Sequence, residues 1–149
     1  MIHVEKHTMR DGSLHVLMSG DIDDDFDGSH VLMSANEGKR VVLHLGGIRT
    51  ITSVGVRNLD NFVAAFAPRE VSLIHISPAV ATQLIMIPNL CSNARIESAK
   101  LPFHCPSCNA EAQHSVPWRH GANVDNAPKC SCGMLMQLDG VPDQYLPSQ

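Results

Sequence analysis

The chain has 149 residues, 44% hydrophobic and 17% charged, with a formal net charge of −4 and five cysteines. That length allows one ordinary core of about 100 residues plus an appendage too small to fold without a staple. The opening residues Met1 to His7 hold no apolar signal region, and no stretch approaches about 18 uninterrupted apolar residues. The sequence therefore reads as a soluble, cytoplasmic globular protein with no membrane partner.

In chain order, the turn Arg10-Asp11-Gly12-Ser13 precedes a strand predicted over Leu14 to Ser19. The acidic stretch Asp21 to Gly28 places Asp23, Asp25, Asp27 and Gly28 in the order that opens an EF-hand loop. The twelfth position is Ser34, where that loop needs a bidentate glutamate. The aspartates are read instead as a solvated connection into a helix predicted near residues 27–36. Val41 to Leu45 and Val71 to Ile76 read as buried strands. Between them Val56, Leu59, Phe62, Val63 and Phe66 recur at helical spacing, with Ser53 expected as the N-cap. A second helix is predicted from the Ser77-Pro78 start to about Ile87, ended by Pro88-Asn89. Cys91 stands alone at the end of an apolar stretch and reads as a small buried hydrophobe.

The C-terminal segment carries two cysteine doublets, Cys105-Pro106-Ser107-Cys108 and Cys130-Ser131-Cys132-Gly133. Four sulfurs on two tight turns match a closed tetrahedral structural zinc site, with no position left for a reacting water. Asn109 and Gly133 supply left-handed backbone after each doublet. Iron on the same ligands, or no metal, are the alternatives. His104, His114 and His120 lie near enough in sequence to replace a sulfur, but read as solvated loop or strand histidines. A thiol-redox function for Cys105 and Cys108 would need a helix N-terminus to activate the thiol, and Pro117 makes the following segment a poor helix. A nucleic-acid-binding ribbon is disfavoured by charge. From Leu101 onward only Arg119 and Lys129 are basic, against Glu111, Asp125, Asp139 and Asp143.

Residues 1–100 alternate strands and helices as an α/β layer, and residues 101–149 form a zinc-ribbon-like β module. Leu101-Pro102-Phe103 between them is too short and apolar for a free tether, so the two parts are expected to pack together. Ser19-Gly20-Asp21-Ile22-Asp23, Val41 to Ile48, Ile51-Thr52-Ser53-Val54-Gly55-Val56 and Val71 to Val80 together resemble a STAS domain. That fold is shared by anti-sigma-factor antagonists and the cytoplasmic tails of sulfate transporters. The resemblance implies a mixed sheet with covering helices and a regulatory protein partner, such as an anti-sigma-factor-like kinase. Antagonists typically carry Asp-Ser-Ser-Gly-Leu before the second helix, with the second serine phosphorylated; here that position is Val54, which has no hydroxyl. The resemblance places a partner-binding surface around Thr52, Ser53, Arg57 and Asn58, with Asp60 also turned from the core.

His44 and His75 each sit near the end of a predicted strand, where α/β sheets gather ligands. As strand neighbours they could meet each other and the Thr50 to Ser53 loop. No Gly-rich phosphate loop, nucleophile elbow or H-E-x-x-H helix is present. The expected function is a non-enzymatic, zinc-stapled protein-interaction module.

Overall fold

The computed structural model describes residues 2–28 and 40–148. Strands β1 (His3–Thr8), β2 (Leu14–Ile22), β3 (Arg40–Ile51), β4 (Glu70–Ile74) and β5 (Ala94–Ile96) form one sheet in that spatial order. β1 runs antiparallel to β2, and β2 to β5 are parallel to one another. Helix α1 (Ser53–Ala64) joins β3 to β4, and α2 (Pro78–Met86) lies between β4 and β5. A second, antiparallel sheet has the order β7-β6-β8, from β6 (Ser98–His104), β7 (Glu111–Pro117) and β8 (Gln137–Leu138). A short helix α3 (Ala122–Asp125) and a 3-10 turn at Pro142–Gln144 complete an α/β fold with a mixed sheet. The helix expected near residues 27–36 and Ser34 lie outside the described residues, apart from Asp27 and Gly28, which are irregular.

Alternation builds the main core. In β2, Leu14, Val16 and Met18 are buried while His15 and Leu17 face the other way. The register sets Leu14 opposite Val41 and Val16 opposite Leu43, and Val41 and Leu43 opposite Val71 and Leu73, so one face is continuously apolar. Leu59, Phe62 and Val63 of α1, with Phe66 just beyond its end, join the same buried cluster, and Phe62 stacks edge-on against Phe26 and Phe66. The cluster runs on without a break into Ala99, Leu101, Phe103, Cys105 and Val116. The boundary expected at residues 100 and 101 falls inside β6, and Leu101-Pro102-Phe103 are strand residues there. A parallel bridge from Ile76 to Ala99 ties β6 to the segment after β4.

Three expectations change. The α1 N-cap is Thr52, not Ser53: Thr52 is extended (φ −85°, ψ 169°) and its hydroxyl accepts from the Gly55 N–H at 3.0 Å. The Thr52 N–H also donates to the Ile22 carbonyl, which ends β3 at Ile51 and makes Ser53 the first helical residue. Strand β3 does not close at Leu45 but runs through Gly46-Gly47 to Ile51, shifting register between its pairings with Leu17 and Ser19. The glycines permit this because a Cβ on Gly47 would lie 2.6 Å from Ser19 Cβ. Asp60 is half-buried rather than turned outward, and its carboxylate accepts the Cys91 N–H at 2.8 Å.

Gly55 decides how closely α1 approaches β2. A Cβ there would collide with the Ile22 carbonyl oxygen. Helix propensity alone favours alanine over glycine by up to about 1 kcal/mol, whereas a backbone clash costs about 1–3 kcal/mol. Gly55→Ala should therefore lower stability in urea denaturation; an increase would show that α1 does not sit against Ile22.

Candidate metal centre

Each cysteine doublet folds as a tight knuckle. After the first, Asn109 is left-handed (φ 61°), its N–H donates to the Cys105 carbonyl at 3.0 Å, and the Cys105 N–H donates to the Ala110 carbonyl at 2.8 Å. The second repeats the pattern one residue shorter. Gly133 takes φ 97°, its N–H donates to the Cys130 carbonyl at 2.9 Å, and the Cys130 N–H donates to the Met134 carbonyl at 2.8 Å. Both left-handed residues stand where the sequence placed them.

β6 leads directly into Cys105, which is still buried, and the bridge between Lys129 and Leu135 closes the second turn around Cys130 and Cys132. All four sulfurs lie within 4.8 Å of one another. The Cys105–Cys132 and Cys108–Cys130 sulfurs are 3.5 Å apart. A tetrahedron with 2.3 Å metal–sulfur bonds has edges of about 3.8 Å, so the sulfurs are close enough together to hold one tetrahedral ion. Cys105 and Cys130 are buried and Cys108 and Cys132 exposed, which gives the cluster one protected and one wet side.

The knuckles polarise the sulfurs in pairs. The Cys108 N–H, helped by the Ser107 N–H and the Cys132 and Cys108 thiols, lowers Cys105 to about 6 against the effect of burial. The Cys132 N–H and then the Cys108 thiol lower Cys130. At Cys108 the Ala110 N–H acts downward, but hydrogen bonding with Cys130 and Cys105 outweighs it and pushes the thiol up to about 11. Cys132 is raised likewise by Cys105 and Cys130 against the Met134 N–H. Two sulfurs thus ionise readily and two retain their protons, so a dication that binds all four must displace protons.

None of His104, His114 and His120 belongs to this cluster. His114 and His120 are exposed, as expected. His104 differs: its Nδ1 is buried without a hydrogen-bond partner among the described residues. Cys91 is buried, and burial followed by the Asp60 carboxylate pushes its thiol up to about 12, which keeps it inert.

No protein-family profile and no curated protein sequence matches this chain. No helix among the described residues is long and apolar enough to cross a membrane.

At the α1 start, Thr52, Ser53 and Arg57 are exposed. Asn58 is half-buried and donates to the Asp23 carbonyl at 3.1 Å, tying the helix to the connection after β2. Within that connection Asp23 accepts the Asp25 N–H at 3.0 Å, a local turn rather than an ion cage.

His44 and His75 do meet, with ring centroids 6.3 Å apart, but at mid-strand in β3 and just after β4. None of residues 50–53 lines the cavity beside them. Sequence reasoning missed a third imidazole: His15 Nδ1 lies 2.9 Å from His44 Nε2. Its signal was the β2 alternation, which turns His15 to the face that carries His44. His44 is held below the ordinary imidazole value of 6.5, first by burial and then by His15 and His75. Unfolded His44 binds a proton more readily, so the neutral ring's contribution is complete above 6.5 and is lost as pH falls through the folded value. Stability should fall as pH drops below about 6.5, and His44→Gln should flatten part of that slope in urea titrations. An unchanged slope would show that His44 is not desolvated.

Proposed function

We propose that this chain is a non-enzymatic regulatory protein-interaction module, STAS-like over residues 1–100, whose zinc-ribbon-like part over residues 101–149 is held by one structural zinc. The observation that carries the interaction reading is the start of α1. Val54 is 47% exposed there, and the Arg57 side chain, one turn on, has no hydrogen-bond or ion-pair partner among the described residues. An apolar side chain beside a free guanidinium is the composition of an interface anchor and its rim. It occupies the place where antagonists of the STAS family carry their switch serine. The partner class favoured is therefore an anti-sigma-factor-like kinase or a related regulator, recognised without a phosphate at position 54.

Zinc is the favoured ion because four thiolates at tetrahedral spacing are soft donors that fill its coordination sphere, and it supplies rigidity rather than chemistry. Reduced thiols in this number fit a reducing, cytoplasmic compartment. Two neighbouring readings lose support. Cys108 is followed by strand β7, so no helix N-terminus activates Cys105 and Cys108 for redox exchange. Arg119, one of the two ribbon cations, is paired with Asp125 at 2.9 Å, which leaves little positive charge for nucleic acid.

Purified protein should contain close to one zinc per chain by elemental analysis, and Cys108→Ser should lose most of it; metal-free wild-type protein with a folded ribbon would refute the zinc assignment. For the interface, Arg57→Glu should change stability by no more than about 0.5 kcal/mol. It should also sharply reduce recovery of protein partners from the native host, because charge reversal at a rim opposes encounter. Equal recovery of the same partners would exclude the α1 surface.

A further inference from the structure

The five-stranded sheet has a second face that α1 and α2 do not cover. His3 and Glu5 of β1, Leu17 of β2 and His44 of β3 project from it, since Glu5 pairs with Leu17 and Leu17 with His44 across the ladder. Over the far side of this face stands the β6–β7 hairpin, which brings Lys100 and Ser115, directly opposed in register. Between sheet and hairpin lies a cavity of about 570 Å³, within the range of small-molecule sites.

Several features of this cavity leave groups available to an occupant. Lys100 is half-buried as a residue, and its ammonium has no hydrogen-bond or ion-pair partner among the described residues. Leu17 is 37% exposed on the cavity wall. His75 holds a left-handed backbone (φ 50°), a conformation uncommon for residues other than glycine but one that histidine adopts more readily than most. That conformation is fixed from two sides: the His75 N–H donates to Ser98 Oγ at 2.8 Å, and its Nδ1 lies 2.6 Å from Ser115 Oγ. A Cβ on Gly46 would approach Lys100 Cδ at 3.5 Å and His75 Cβ at 3.7 Å, so the lysine stem and the imidazole stand together over that glycine.

We propose that the cavity binds a small monocarboxylate with an apolar body, its carboxylate held by Lys100 and the His75–Ser115 pair and its body lying on Leu17 and Gly46-Gly47. The described lining residues offer direct charge pairing for one anionic group only. Lys100 is the one permanent cation among the described lining residues, and the carboxylate on the opposite wall, Glu5, already accepts from His3 at 3.2 Å. A dianion such as phosphate would add a second negative charge with no cation in that lining to pair it, facing Glu5 across the cavity. The groups that face His44 are His15 from β2, His75 after β4, Lys100 from β6, and His3 and Glu5 from β1; none of the imidazoles need be protonated for the contact with Lys100.

The test is a titration of the full chain with sodium benzoate at constant ionic strength, read on the histidine ring signals by NMR, with inorganic phosphate in a parallel series. Benzoate should shift the His44 and His75 signals saturably at millimolar concentration. Lys100→Met, which keeps the apolar stem, should weaken binding about tenfold or more, as expected for losing a charge-assisted contact. His75→Asn, which tolerates the left-handed backbone, should weaken it as well, and decides the matter if the Lys100 variant fails to fold. Absence of saturable shifts, unchanged affinity in the folded variants, or phosphate matching benzoate on the same signals would each overturn the proposal.

Discussion

The arrangement depends on one strand. β6 leaves the main core with Ala99, Leu101 and Phe103 buried and delivers Cys105 at its end to the first knuckle. Its other neighbours hang on it: β7 pairs along its whole length, β8 pairs with Phe103 and His104, and the Asp139 N–H donates to the Pro102 carbonyl. Few apolar side chains lie beyond it: Val116, Ala122, Cys130, Met136 and Leu146 in the buried set, with Trp118, Ala127, Leu138 and Tyr145 packed at the margin. A segment of this size buries too little to order itself. It is continuous with the large core on one side, and on the other it brings together four sulfurs that could hold a metal ion.

That dual attachment explains the division of chemistry between the two ends of the hairpin. At the knuckle end, backbone N–H groups draw Cys105 and Cys130 toward the thiolate, the form in which sulfur binds a cation. At the sheet end, the same hairpin turns Lys100 and Ser115 over a row of imidazoles. The α1 start lies on neither, and its Thr52 cap and the close Gly55–Ile22 approach fix where Val54 and Arg57 are presented. A rigid helix start offering few exposed side chains suits recognition, because little conformational entropy is lost on docking.

Much of this was legible from residue types at fixed spacings. The two doublets with Asn109 and Gly133 specified the knuckles, because sulfur ligation and left-handed turns are local requirements. The Ser77-Pro78 start and the spacing from Val56 to Phe66 specified both long helices for the same reason. Properties set by distant chain were not legible. Thr52 and Ser53 are equally competent caps, and only the Thr52 bond to the Ile22 carbonyl chooses between them. Gly46-Gly47 reads as a terminator until Ser19 and His75 are seen to need the space. β1 is almost wholly exposed at a sheet edge and lacks the alternation that marks a strand, while the bonds of Asn58 and Asp60 go to partners more than 30 residues away.

The central claim, that four thiols staple an appendage onto a core that is stable without them, is tested most directly by hydrogen exchange on the full chain before and after metal chelation. Regions with different local stability open separately. Loss of the staple should therefore raise exchange in the two knuckles, β7 and β8, while β2, β3 and β4 keep their protection. Unchanged exchange at Cys105–Ala110 and Cys130–Met134 after chelation, or an equal rise across the central sheet, would contradict it.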